Sequence, residues 1–273
     1  MTVLPTVPVL MYHSIADSPP RGTAGLAVTP GAFAEQMALL ADEGFTPVPF
    51  SALARGGLPA RRPIVITFDD GYADFHAAAL PVLARHGFAA TVFVTTGWLA
   101  DAGRHAAGRP LDAMMAWSQV RECASSGVEI GAHSHGHPQL DQLPGAALDD
   151  ELARSRGLLE DRLGAPVTTM AYPYGYSSAR VRRAVRAAGY DSACAVANRL
   201  SPVPSQAGGP PRGYDALAIP RLTVRASTTL ATFARVADGR RIPLIFFSDR
   251  VLTKGYAAVR RTRYALRRVT RRV

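Results

Sequence analysis

Two short stretches of this sequence place carboxylates and imidazoles at spacings that suit metal-assisted hydrolysis. The apolar run 65–68 ends in two adjacent carboxylates, Asp69 and Asp70, and a glycine follows them. A second apolar run, 128–132, ends in the cluster His133-Ser134-His135-Gly136-His137. Neighbouring residues at a strand end point in different directions, so one aspartate can face a metal while the other acts as a base. One carboxylate and two imidazoles with open positions form a common hydrolytic metal site.

Each stretch alone has an ordinary explanation. Asp-Asp-Gly is typical of a turn, and an isolated His-x-x-x-His is often incidental. The two motifs occur here in order, however, and Tyr172-Pro173-Tyr174-Gly175 follows them. This series resembles the polysaccharide deacetylases, carbohydrate esterase family 4, over roughly residues 5 to 250.

The resemblance implies a role for each motif residue. It implies that Asp69 is the general base and that Asp70, His133 and His137 bind one divalent metal ion. Zinc is the expected metal, and other divalent transition metals are alternatives. The backbone N–H of Tyr174 would face the developing oxyanion. His135 lies between the two histidine ligands and is expected to point elsewhere, with a direct role as the alternative.

Three positions depart from the usual family pattern. Ala171 stands where the family has an arginine, and the segment 191–195 keeps only the acid of an Asp-Trp element. The late apolar run 242–247, interpreted as a strand, lacks the histidine expected as general acid. Arg221 is a candidate for the missing arginine, with an ordinary surface position as the alternative.

The N-terminal run 9–12 offers a replacement for the missing histidine, because it ends in His13. The poly-N-acetylglucosamine deacetylase branch of the family is circularly permuted in this way, and the chain resembles it in its Tyr-His and Ala-Tyr-Pro-Tyr-Gly elements. His13 is therefore predicted to be the general acid. The alternative is a strand-end histidine with only local hydrogen bonds.

The elements that position these residues alternate between short apolar runs and helical patterns, which indicates parallel βαβ units. Such barrels place their sites at the carboxyl ends of the strands. Together with the resemblance, this predicts an α/β fold, a distorted, circularly permuted (β/α) barrel of about seven parallel strands. The strands are predicted at 8–12, 64–68, 90–95, 129–132, 168–172, 219–224 and 242–247.

Charge is concentrated at the C-terminus. Of the net charge of +10, eight units come from residues 251–273, which hold eight basic residues and no acidic ones. Apolar residues recur there at helical spacing, which predicts a basic amphipathic helix (251–273) beside a catalytic domain (1–250). The helix is expected either to lie on an anionic membrane surface or to pack its apolar side on the barrel.

The remaining composition limits the class of protein. Basic and aromatic residues do not interleave in the body of the chain, so no nucleic-acid partner is expected. Cys123 and Cys194 are predicted to be buried free thiols. No segment reaches transmembrane length, and the prolines at 5 and 8 make residues 1–11 unlike a signal peptide, so a cytoplasmic, membrane-peripheral protein is expected.

These features predict a metal-dependent carbohydrate N-deacetylase that acts on N-acetylated sugars of a polysaccharide or its lipid-linked precursor. Two alternatives remain open. The first is a catalytically degenerate member of the fold that binds glycan, which the three departures favour and the intact Asp69, Asp70, His133 and His137 oppose. The second is a barrel amidohydrolase that acts on a small amide.

Overall fold

A computed structural model describes residues 6–55, 58, 61–204 and 214–270 of the chain. The strands are β1 (Thr6–Val7), β2 (Val9–Tyr12), β3 (Thr46–Val48), β4 (Pro63–Phe68), β5 (Thr91–Val94), β6 (Glu129–Ala132), β7 (Thr169–Ala171), β8 (Ser192–Val196), β9 (Ser201–Pro202) and β10 (Ile219–Thr223). Seven of them form a closed parallel ring in the order β2-β10-β8-β7-β6-β5-β4, because β4 pairs in turn with β2. This confirms the predicted (β/α) barrel of about seven parallel strands.

The remaining strands lie outside the ring. β3 pairs in parallel with the first half of β4, residues 63–65, and β1 forms a separate antiparallel pair with β9. The N-terminal β2 lies between β4 and β10, which is the last ring strand in the sequence. Circular permutation relative to the family stays a prediction.

Helices follow most of the ring strands. They are α1 (Pro30–Asp42), α2 (Phe50–Arg55), α3 (Leu80–His86), α4 (Trp117–Ser125), α5 (Gly145–Leu163), α6 (Ala179–Ala187), α7 (Leu230–Ala237), α8 (Ile242–Ile245) and α9 (Phe247–Thr270). One π-helical turn (Phe75–Ala79) precedes α3. Local sequence explains several boundaries: the Thr29 hydroxyl accepts the Ala32 N–H at the start of α1, and Gly87 ends α3 in the left-handed conformation.

Alternate residues of the strands contribute to two separate cores. One core packs strand residues such as Leu10 and Ile66 against helix residues such as Phe33 and Met37. The other joins one residue from each of six ring strands: Val9, Val65, Phe93, Ala171, Cys194 and Ile219. Because strand side chains alternate between faces, this second group fills the barrel interior. Both cysteines are buried and free, as predicted.

Six of the seven predicted strands are confirmed, and the prediction for 242–247 is wrong. That run forms α8 and the beginning of α9, with Pro243 in the first turn of α8. Short apolar runs do not distinguish a strand from a helix, and proline favours a helix start. The seventh ring strand is instead β8, whose small residues Ser192, Ala193 and Ala195 gave no strand signal.

The C-terminal helix begins at Phe247, four residues before the predicted boundary. The division into units 1–250 and 251–273 stays a prediction, and residues 271–273 lie outside the described residues. Among the described helices, none combines the length and apolar composition that a bilayer span requires.

Candidate active site

The predicted site residues meet at the carboxyl ends of the ring strands. Asp69 and Asp70 directly follow β4, His133 directly follows β6, and His13 directly follows β2. Tyr174 lies in a turn that begins two residues after β7. All of them, together with His137, line one cavity of about 320 Å³. The structure therefore brings together every residue to which the sequence assigned a catalytic or metal-binding role.

Asp70, His133 and His137 form a cluster that could hold a metal ion. Their potential ligand atoms all lie within 4.8 Å of one another, and all three residues are buried. The Nε2 atoms of His133 and His137 lie 3.4 and 3.3 Å from Asp70 Oδ1. That oxygen is buried and has no hydrogen-bond partner among the described residues. Because a buried carboxylate oxygen is costly without a partner, this donor set fits a divalent cation.

The surroundings keep His133 in the form that a metal requires. Its Nδ1 lies 2.9 Å from the carbonyl oxygen of Ala171, which only accepts hydrogen bonds, so Nδ1 carries the proton. Nε2 is then free to bind a cation. Burial lowers the pKa of His133 to about 4, so the imidazole is neutral at neutral pH.

A tightly held loop connects the two histidine ligands. Ser134 and His137 adopt left-handed backbone conformations with φ values of 62° and 58°. The hydroxyl of Ser134 accepts the His137 N–H at 3.1 Å. Glu151, on α5, accepts the N–H groups of His135 and Gly136 through one carboxylate oxygen, at 2.9 and 2.7 Å.

His135 points away from the metal-binding cluster, as expected. Its Nδ1 lies 2.9 Å from the hydroxyl of Thr96, and the ring is buried. The alternative of a direct role for His135 has no support in this geometry.

The adjacent carboxylate, Asp69, has a different partner. Arg221 on β10 is fully buried and donates from both Nη atoms to the two oxygens of Asp69, each at 2.6 Å. Burial alone would raise the pKa of Asp69, but the guanidinium outweighs it and the pKa is lowered. Arg221 is thus buried in the site and the surface alternative is wrong, while its replacement of the family arginine stays a prediction.

His13 lies on the open side of Asp69. Its Nε2 is 3.9 Å from Asp69 Oδ2, and its side chain is mostly buried. Its Nδ1 has no hydrogen-bond partner among the described residues, so the structure shows no local hydrogen bond at that atom. The His13 side chain lines the same cavity as Asp69 and Asp70.

The Pro-Tyr-Gly turn supplies a further wall of the site. Tyr174 has φ of 60°, and its ring packs against His137 with a centroid distance of 4.8 Å. Gly175 is required by close packing, because a Cβ there would lie 2.4 Å from a methyl group of Val196. The turn therefore packs against both β8 and the ring of His137.

Sequence reasoning missed several residues around the site. Glu151 gave no signal, because it lies on a helix amid other charged residues and its partners are backbone groups. The cavity walls were also missed: they include Tyr72, Leu111, Tyr176, Leu252, Thr253 and Tyr256. The last three belong to α9, so the C-terminal helix borders the site.

The chain also matches a known protein family over the segment that holds most of these residues. The family model described as polysaccharide deacetylase matches residues 57–193, which include both aspartates, the histidine loop and the Pro-Tyr-Gly turn.

Individual relatives agree with that match. A Bacillus subtilis protein named as a polysaccharide deacetylase, YxkH, is 30% identical over 188 residues, covering 67% of this chain and 62% of the relative. Poly-beta-1,6-N-acetyl-D-glucosamine N-deacetylase of Escherichia coli K12 is 32% identical over 135 residues, which are 46% of this chain and 20% of that enzyme. The chain thus spans less than two thirds of either relative. The crystal structure of a polysaccharide deacetylase from Bacillus cereus superposes with a TM-score of 0.73 at 26% identity, covering 87% of this chain and 70% of that one.

Proposed function

This chain belongs to the polysaccharide deacetylase family, and from that premise we propose that it is a metal-dependent carbohydrate N-deacetylase. Its substrate is an N-acetylated sugar of a polysaccharide or of a lipid-linked precursor. One observation carries the proposal: the buried cluster of Asp70, His133 and His137 shares a cavity with a second carboxylate and a second imidazole. The similarity to a poly-N-acetylglucosamine deacetylase supports the choice of substrate.

Asp70, His133 and His137 would hold the metal, and zinc suits this set of one carboxylate and two imidazoles. A divalent ion held there supplies a Lewis acid for the acetyl carbonyl and lowers the pKa of a water molecule from about 15.7 toward 7. The hydrogen bond from His133 to the carbonyl of Ala171 fixes the ring orientation that such binding requires.

Asp69 acts as the general base in this proposal. It accepts the proton of the attacking water as the oxygen bonds to the acetyl carbon. Arg221 keeps Asp69 ionised and fixes both of its oxygens, so the carboxylate enters the reaction in the correct protonation state and orientation.

Two other groups complete the reaction. The backbone N–H of Tyr174 stabilises the negative charge that develops on the carbonyl oxygen. His13 donates a proton to the nitrogen as the C–N bond breaks, so that acetate and a free amine leave. The distance of 3.9 Å between His13 Nε2 and Asp69 Oδ2 supports this assignment of acid and base.

The cavity walls favour a sugar over a small amide. Exposed tyrosine and leucine side chains, Leu111, Tyr174 and Tyr256, border the cavity, and aromatic faces stack well on sugar rings. The basic C-terminal helix adds an anionic membrane surface as a second proposed partner, from which a lipid-linked substrate would be drawn.

Three parallel measurements separate the proposal from its alternatives. The zinc-loaded protein is incubated with N-acetylglucosamine oligomers and, separately, with a small aryl acetamide, and the released acetate is quantified. Oligomer binding is measured by calorimetry. We expect acetate from the oligomers and little from the acetamide. Oligomer binding without acetate would identify a degenerate binding protein, and preference for the acetamide would identify a small-amide hydrolase.

A further inference from the structure

The C-terminal segment carries an unusual concentration of exposed apolar side chains. Of the nine large apolar side chains that are exposed in the described part of the chain, six lie in α8 and α9. They are Leu244, Phe247, Val251, Leu252, Tyr256 and Val259, each between 56% and 72% exposed. Water contact at so many neighbouring apolar groups marks an interaction surface.

Ionic and cation–π contacts to the barrel fix the orientation of α9. Asp249 pairs with Arg225 at 2.5 Å, and Arg260 donates to Asp141 at 2.9 Å. The guanidinium of Arg260 also lies 3.1 Å from the ring centroid of Tyr176. These contacts hold one side of the helix on the barrel and leave Phe247, Val251 and Val259 exposed away from the cavity. The expectation that the apolar side packs on the barrel is wrong for Leu252, Tyr256 and Val259, which are exposed, while the side chains of Leu266, Val269 and Val273 lie outside the described part.

The charge of the helix indicates what the apolar side meets. From residue 247 onward the sequence holds nine basic residues and one acidic residue, Asp249, which is already paired. A second copy of the chain would bring two such helices together, and their like charges would repel. An anionic lipid surface instead offers headgroups for the basic residues and a hydrocarbon boundary for the apolar ones.

The apolar side of α9 also adjoins the active site. Leu252 and Tyr256 belong both to the exposed apolar set and to the wall of the cavity that contains His13 and Asp70. A bilayer in contact with the helix would therefore lie beside the mouth of that cavity.

We infer that α9 is an interfacial helix that seats the cavity mouth on an anionic bilayer, and that the substrate is a glycan anchored in that bilayer. The binding of the helix to lipid stands on the exposed face and the charge alone. The identity of the substrate rests on the proposed deacetylase function.

Vesicle co-sedimentation tests the interfacial helix. The probe is phosphatidylcholine vesicles, prepared either without an anionic lipid or with phosphatidylglycerol as about one lipid in three. The triple variant Phe247→Ser/Val251→Ser/Val259→Ser removes exposed apolar groups that do not line the cavity. Leu230→Ser, at an exposed position on α7, is the matched control.

We expect the parent protein and Leu230→Ser to bind the anionic vesicles with similar affinity. The affinity of the triple variant should be lower by at least about tenfold. Binding of the parent should fall with added salt. Equal binding by the triple variant, or no preference of the parent for anionic vesicles, would overturn the inference. So would a dimer in sedimentation analysis that the triple substitution dissociates, because the face would then bind a second copy.

An activity comparison tests the link to the substrate. The triple variant should release acetate from soluble N-acetylglucosamine oligomers at the parent rate, and more slowly from the same oligomers attached to a lipid in anionic vesicles. A triple variant that matched the parent rate on the lipid-attached oligomers as well as on the soluble ones would overturn the link. Vesicle binding without any acetate release would contradict only the proposed function, while release from soluble oligomers without vesicle binding would contradict only this inference.

Discussion

Two adjacent carboxylates in this protein have different environments because of their neighbours. Asp70, in the left-handed conformation with φ of 72°, faces two imidazoles, whereas Asp69 is held by a guanidinium. Burial alone would raise the pKa of Asp70, but His137 and His133 outweigh it and hold the pKa below its usual range. Both side chains therefore stay ionised in a buried site, one suited to a cation and the other to a proton.

Removal of one partner of the ion pair between Asp69 and Arg221 should strongly destabilise the protein. Arg221→Met leaves a buried, unpaired carboxylate, so we expect the free energy of unfolding to fall by about 3–5 kcal/mol. The double variant Asp69→Asn/Arg221→Met should be less destabilised than the sum of the single variants, as measured by urea denaturation. Additive losses would mean that the two side chains do not stabilise each other.

The proposed role of His13 predicts a difference between substrates. His13→Ala should lower turnover of N-acetylglucosamine oligomers by about 10²–10⁴-fold, because the leaving amine needs a proton. An activated aryl ester needs little protonation and should be affected much less. Metal content, measured by atomic absorption, should be unchanged. Equal losses on amide and ester would make His13 a positioning residue.

At the scale of elements, the histidine loop depends on α5, the helix that follows it in the sequence. Glu151 fixes two backbone N–H groups between His133 and His137, so it supports the cluster without touching it. The left-handed residues at both ends of that loop, Ser134 and His137, need such support because this conformation is costly for residues other than glycine.

Removal of this support should weaken metal binding. Glu151→Ala should lower zinc affinity by about 10–100-fold, whereas Glu151→Gln keeps an oxygen acceptor and should remain close to the parent. Asp149→Ala, at an exposed position on the same helix, is the control. Calorimetric titration with zinc measures all four proteins. Unchanged affinity in Glu151→Ala would show that the loop holds its shape without the carboxylate.

Elements with strong local signals could be predicted from the sequence, and elements without them could not. The strands at 64–68 and 90–95 could be predicted because their β-branched residues carry a local strand signal. The strand at 192–196 depends on its two neighbours in the ring, β7 and β10. The run at 242–247 pairs with no ring strand and is helical. Tertiary pairing decided both cases.

At the scale of the whole molecule, ring closure assembles the site. Strand β2 lies between β4 and β10, and ring closure brings both His13 and Arg221 next to Asp69. Asp69 and Arg221 are 152 residues apart, so the sequence could suggest the arginine only as a candidate. The motif residues were recognisable because they directly follow strands, whereas α9 could not be placed at the cavity before the ring was known.

The central claim, metal-dependent deacetylation with Asp69 as base, is tested most directly by acetate release from N-acetylglucosamine oligomers. The parent and Asp69→Asn are each assayed after zinc loading and after treatment with a chelator. We expect the zinc-loaded parent to release acetate, the chelated parent to stop, and added zinc to restore release. Asp69→Asn should bind zinc as the parent does and be slower by about 10²–10⁴-fold. Turnover that survives complete metal removal, or a parent-like rate in Asp69→Asn, would contradict the account.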